Sequence, residues 1–172
     1  FYVKHCITNT ALALGITKDR NAGIPLTQPA DASLGIAEID FNPAAGNQAE
    51  EFICVTNPNP FAIDLSGWQL GGGVHFEFQP GTVVPSNKVV YVARDLKAFR
   101  ARATGPHAGL GLFVQGPYQG QLSARGEPLT ITDNTGRLVY TNYFAGSPSL
   151  AQQYLRITEL MYPKTHPYHW PV

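Results

Sequence analysis

Few residues in this chain could do chemistry, and they are scattered. Asp40, Asn42, Asn47, Glu50 and Glu51 lie close together and offer oxygen donors. Calcium takes six to eight such ligands, so this group is the candidate cation loop, although it follows no EF-hand spacing. Ser66 sits two residues from Asp64, but in Leu65-Ser66-Gly67 rather than a Gly-x-Ser-x-Gly elbow. Gly71-Gly72-Gly73 lacks the Lys-Ser/Thr of a phosphate loop and precedes a strand, not a helix. Cys6 and Cys54 are far apart, and their spacing leaves pairing open. Cys54 lies in an apolar run and reads as a small buried hydrophobe. Of the five histidines only His166 and His169 form a local pair, with no Cys or acidic ligand beside them. Arg94, Lys97, Arg100 and Arg102 make a basic stripe. It suits phosphate contacts, and equally the solvated face of a short helix.

From these residues we expect no catalytic, cofactor-binding or metal-binding position, no cofactor and no small-molecule substrate. Hydrolysis needs paired carboxylates, a nucleophile with its base, or a metal, and no local constellation supplies one.

The chain that must position these groups has 172 residues, with 12 Lys+Arg, 12 Asp+Glu and 14% charged residues. Zero net charge argues against a protein that holds nucleic acid by neutralising phosphates. At 44% hydrophobic residues the chain is not of disordered composition. Seventeen Gly and 14 Pro weigh against a helical bundle, since both destabilise helices. No apolar run is long enough for a membrane-spanning helix. The sequence begins without Met and ends mid-phrase, so we expect a piece of a longer protein, with residues 1–34 as a linker or the tail of a preceding domain.

From residue 34 short apolar or alternating runs recur at 36–41, 52–56, 68–70, 74–78, 89–93, 111–115, 128–132 and 138–144. Gly, Pro, Asn and Asp punctuate them. That pattern indicates an all-β sandwich or barrel. In the alternating run, Val74, Phe76 and Phe78 should enter the core while His75 and Glu77 face water. Asp133-Asn134-Thr135-Gly136 should turn a hairpin. Asp95 should cap one short helix that places Leu96 and Phe99 on one face. Around residue 147 a turn or less of helix is expected. Ile157-Thr158-Glu159-Leu160-Met161-Tyr162-Pro163 repeats the pattern of Ile36-Ala37-Glu38-Ile39-Asp40-Phe41-Asn42-Pro43. Residues 147–172 therefore read as a linker and the first strand of a possible second copy, or else as a last strand of this domain.

The most specific piece is Ile63-Asp64-Leu65-Ser66-Gly67-Trp68-Gln69-Leu70. Asp64 should accept backbone N–H bonds in its turn, Gly67 should take a backbone shape other residues resist, and Trp68 should enter the core. Together with Ile36-Ala37-Glu38-Ile39, Glu51-Phe52-Ile53 with Asn57, Phe76-Glu77-Phe78 with Pro80-Gly81-Thr82, Val89-Val90-Tyr91-Val92-Ala93 and Gly126-Glu127-Pro128-Leu129, it resembles the bacterial form of the lamin tail domain. Cys54 stands where an acidic residue is common, and the 103–121 insertion is long and Gly-rich. The resemblance implies an all-β, immunoglobulin-like antiparallel β-sandwich with one short helix, over residues 35–146. It implies an accessory module of a large secreted or surface protein, beside nucleases, phosphatases or kinases, with no catalytic residue to carry over. The expected function is a non-catalytic interaction or spacer module, extracellular or at the cell surface. Its partner would be a protein or surface polymer, and the neighbouring domains of the parent chain. A calcium-binding structural module and a weak nucleic-acid-binding module are the alternatives. The insertion, with Phe113, Tyr118 and Arg125, is the candidate contact loop; otherwise it is a satellite packed on the sandwich.

Overall fold

The computed structural model describes residues 31–156. The expected repeat strand after residue 156, the pair His166 and His169, and Cys6 lie outside the described residues. Two sheets face one another. The first has the order β1 (Gly35–Asp40), β2 (Phe52–Thr56), β7 (Val89–Ala93) and β8 (Val114–Gln115). The second has the order β11 (Leu138–Phe144), β10 (Glu127–Thr132), β4 (Gln69–Gly72), β5 (Val74–Glu77) and β9 (Gln119–Gly120). A third pair joins two very short strands, β3 (Ile63–Asp64) and β6 (Val83–Val84). This is the all-β, immunoglobulin-like sandwich expected.

Its details follow from side-chain alternation. Val74, Phe76 and Phe78 are buried, whereas His75 and Glu77 are exposed. Leu70, Leu129 and Ile131 bring the other strands of that sheet into the same core, opposite Ile53, Val55, Val90 and Val92. Ala32 and Leu34, just ahead of β1, are also buried in it. Strand β2 does not alternate, because both of its faces are covered. Ile53 and Val55 face the sandwich core, while Phe52 and Cys54 form a second cluster with Ala93 and Phe99. A strand buried on both sides reads as a continuous apolar run.

Phe99 comes from helix α1 (Leu96–Arg100), whose cap is Asp95: its Oδ1 accepts the Ala98 amide at 2.8 Å. A second helix, α2 (Leu150–Tyr154), corrects the single helix expected. Ser149 and Gln152 close a capping box at its start. That reciprocal pair satisfies amide donors at both the cap and the third helical residue, so the segment winds further than composition suggests.

Two strand assignments also differ from expectation. Gly71 and Gly72 are strand residues paired with Thr130 and Leu129, not a turn. A side chain at Gly72, where φ is +109°, would collide with the Pro128 carbonyl, so glycine is what lets β4 and β10 approach. The sandwich is also not wholly antiparallel: β8 pairs parallel to β7, Tyr91 with Val114 and Val92 with Gln115. The long connection from α1 brings the chain back in the same direction, which two residues of ladder suffice to record.

Candidate interaction site

Four of the five supposed cation donors, Asp40, Asn47, Glu50 and Glu51, are drawn into structural bonds; the side chain of Asn42 is not. Asp40 Oδ2 accepts from Arg102 Nη2 at 2.7 Å. Asn47 caps the 3-10 turn Gln48–Glu50, accepting the Ala49 amide at 3.2 Å. Glu51 is fully buried. Its Oε2 accepts from the Tyr118 hydroxyl at 2.9 Å and the Leu122 amide at 3.3 Å, with Arg94 Nη1 at 3.6 Å. Burial pushes the Glu51 carboxyl above its ordinary value; Tyr118, Leu122 and Arg94 oppose that shift without cancelling it. Its other oxygen has no partner among the described residues. Among those residues no group of three or more His, Cys, Asp or Glu could hold a metal ion.

The basic stripe is likewise divided. Arg102 is buried: it donates to the Glu50 carbonyl and to Asp40, both at 2.7 Å, and lies 4.9 Å above the Phe52 ring. Arg94 leans toward Glu51. Only Lys97 and Arg100 of the four are exposed, so these four do not form one continuous cationic face.

The Asp64 turn behaves as its residues require. Asp64 Oδ1 accepts from the Ser66 amide at 2.9 Å and the Ser66 hydroxyl at 2.5 Å, and Ser66 Oγ accepts the Gly81 amide at 2.8 Å. The serine is thus a link in a turn, not a nucleophile beside a base. Gly67 has φ +72°, and Trp68 is buried. Asn57 is another knot: its Nδ2 donates to the Phe61 and Val84 carbonyls, both at 2.8 Å. Cys54 is buried, and burial pushes its thiol up to about 11, which leaves it protonated and inert near neutrality.

The later part of the 103–121 insertion is packed on the sandwich, whereas Ala103–Gly105 and Ala108–Gly111 are exposed. Tyr118 is buried through its bond to Glu51, and Phe113 packs partly against the core. Gln115 Nε2 donates to Thr82 Oγ1 at 2.6 Å. Arg125 alone of the three proposed contact residues is exposed, and its guanidinium donates to the Gln152 carbonyl.

What sequence reasoning did not find is a surface groove of about 730 Å³ between the loop after β1, the 121–124 segment and the start of α2. Asn42, Gln48, Gln121, Ser147 and Gln152 line it, with Phe41 at one wall. The side chains of Asn42, Gln48 and Gln121 make no hydrogen bond with any described residue. Among the described residues no charged side chain lines the groove. Its residues come from three separated segments with no shared motif; glutamines near residues 121 and 152 are the only trace in the sequence.

No curated protein matches the chain. The Lamin Tail Domain family matches residues 27–145. That stretch carries both sheets, the Asp64 turn with Trp68, and the Glu51 knot, and the chain belongs to the lamin tail domain family.

Proposed function

We propose that this domain is a non-catalytic interaction or spacer module of a larger bacterial protein, displayed outside the cell or at its surface. The observation that carries this reading is the fate of the reactive side chains. Asp40, Glu51, Asp64, Arg102 and Ser66 are all committed to bonds that hold loops onto the sandwich. Membership of an immunoglobulin-like family supports the same reading. Such sandwiches present rigidly held loops to partners. In this reading 35–146 form the module, residues 1–34 a linker or the tail of a preceding domain whose last part, Ala32 and Leu34, packs into the module's core, and 147–172 a linker and the first strand of a possible second copy.

The test is made in the native host. Residues 31–156 are deleted from the genomic copy, and intact cells are labelled with a membrane-impermeant amine reagent. The expected result is surface labelling of the intact protein, and loss of its retention on cells after the deletion, with any catalytic rate of neighbouring domains unchanged. Labelling only after lysis, or loss of that rate without loss of retention, would overturn the reading.

A further inference from the structure

We infer that the groove beside Phe41 binds a neutral oligosaccharide. The inference deepens the module reading and rests on it only for what the binding would serve.

The chemistry of the lining selects the ligand class. A side-chain amide offers two donors and one acceptor that can receive two bonds. That pattern matches neighbouring hydroxyls of a sugar ring, each of which both donates and accepts. Asn42, Gln48 and Gln121 line the groove and carry three such amides, none bonded to a described residue, and Ser147 adds a hydroxyl. Phe41 supplies an aromatic wall for the C–H face of a ring; it is half-buried and held by Phe144, with ring centroids 5.4 Å apart. The volume lies within the range of ordinary ligand pockets, about 300–1,000 Å³.

The walls are held before any ligand arrives. The Ser147 amide donates to the Ala124 carbonyl at 2.8 Å, which pins the approach to α2. The Ser123 amide donates to Glu127 Oε1 at 2.8 Å, and Leu122 is tied to Glu51. Asn47 caps the turn that carries Gln48. Groups fixed in this way lose little freedom on binding.

Other ligand classes fit less well. An anionic polymer needs cations, and the nearby Arg125 guanidinium is turned to the Gln152 carbonyl. An extended peptide is read by an open strand edge with side-chain pockets; loops and a helix start bound this groove, not a strand edge.

The experiment titrates the 172-residue chain, labelled with ¹⁵N, with hexasaccharides of glucose in β-1,4 and α-1,4 linkage, of mannose and of N-acetylglucosamine. A galacturonic acid hexamer and a neutral Gly/Ser decapeptide are the comparators. At least one neutral hexasaccharide should shift the side-chain NH₂ signals of Asn42, Gln48 and Gln121 saturably, with a Kd on the order of 1 mM or tighter. Gln48→Ala and Gln121→Ala should each weaken it about tenfold. Their melting temperatures should not change, since neither side chain bonds to a described residue. Affinity should also be insensitive to salt, because no charge among the described residues lines the groove. The inference is overturned if none of the neutral sugars moves those signals, if the variants bind as well as the parent, or if the acidic hexamer or the peptide binds in their place. Such a failure leaves surface retention of the module unaffected, so the two readings fail separately.

Discussion

Glu51 shows how one residue can look like a ligand and act as a fastener. Its carboxyl is raised by burial, so the folded state holds its proton more tightly than the unfolded chain does. The contribution to stability is then greatest below 4.5, its ordinary value, and declines as pH rises from there through the raised value. Glu51→Gln keeps an acceptor for the Tyr118 hydroxyl and removes the buried charge. It should flatten that slope in melting curves recorded across pH. Glu51→Ala should instead cost about 3 kcal/mol, since the Tyr118 hydroxyl and Leu122 amide lose their buried partner together. Equal melting temperatures for the two variants at neutral pH would contradict this role.

Among the elements, the insertion and strand β4 each depend on a local device. Tyr118→Phe removes the hydroxyl that ties the insertion to Glu51. We expect a loss of about 1–3 kcal/mol and faster proteolytic cleavage within residues 103–121, while cutting elsewhere stays slow. In β4, Gly72→Ala should cost more than the roughly 1 kcal/mol scale of ordinary glycine effects. The methyl meets the Pro128 carbonyl at positive φ. Amide exchange should then quicken across the β4–β10 ladder. The α1 cap is a milder case: Asp95→Ala should lower stability by about 1 kcal/mol in denaturant titration, with no change in fold.

For the molecule as a whole, Trp68 is the central test. A buried Trp removes on the order of 200 Å² from water, or up to about 5 kcal/mol at 25 cal/mol per Å². Trp68→Ala should cost about 3–5 kcal/mol, a large share of the ~5–15 kcal/mol that holds an ordinary domain together. Calorimetry should show a strongly lowered or absent unfolding transition. An unchanged transition would remove Trp68 from the core. The described residues contain no helix long and apolar enough to cross a membrane.

The longer strands, their faces and most of the turn chemistry were legible in the residues themselves, whereas the two-residue strands β3, β6 and β9 were not. Alternation at 74–78, the Asp64 turn, the Asp133 hairpin and the α1 cap are local patterns, and short-range sterics and hydrogen bonding enforce them. The hairpin shows it well: Asp133 Oδ1 accepts the Thr135 and Arg137 amides, both at 2.9 Å, all within five positions. Burial alone would raise the Asp133 carboxyl, but the bonds from Thr135 and Arg137 outweigh it and hold it well below its usual range. The site was not legible, because its contacts span long separations. Glu51 meets Tyr118, Asp40 meets Arg102, and the groove gathers side chains from three segments. Composition and spacing determined that this chain is all-β, a sandwich or barrel, and where most of its turns fall; Gly71 and Gly72 proved to be strand residues. Only the tertiary structure decided which polar groups are consumed internally and which are left facing a ligand. That choice depends on which loops pack together, and nothing local in the chain encodes it.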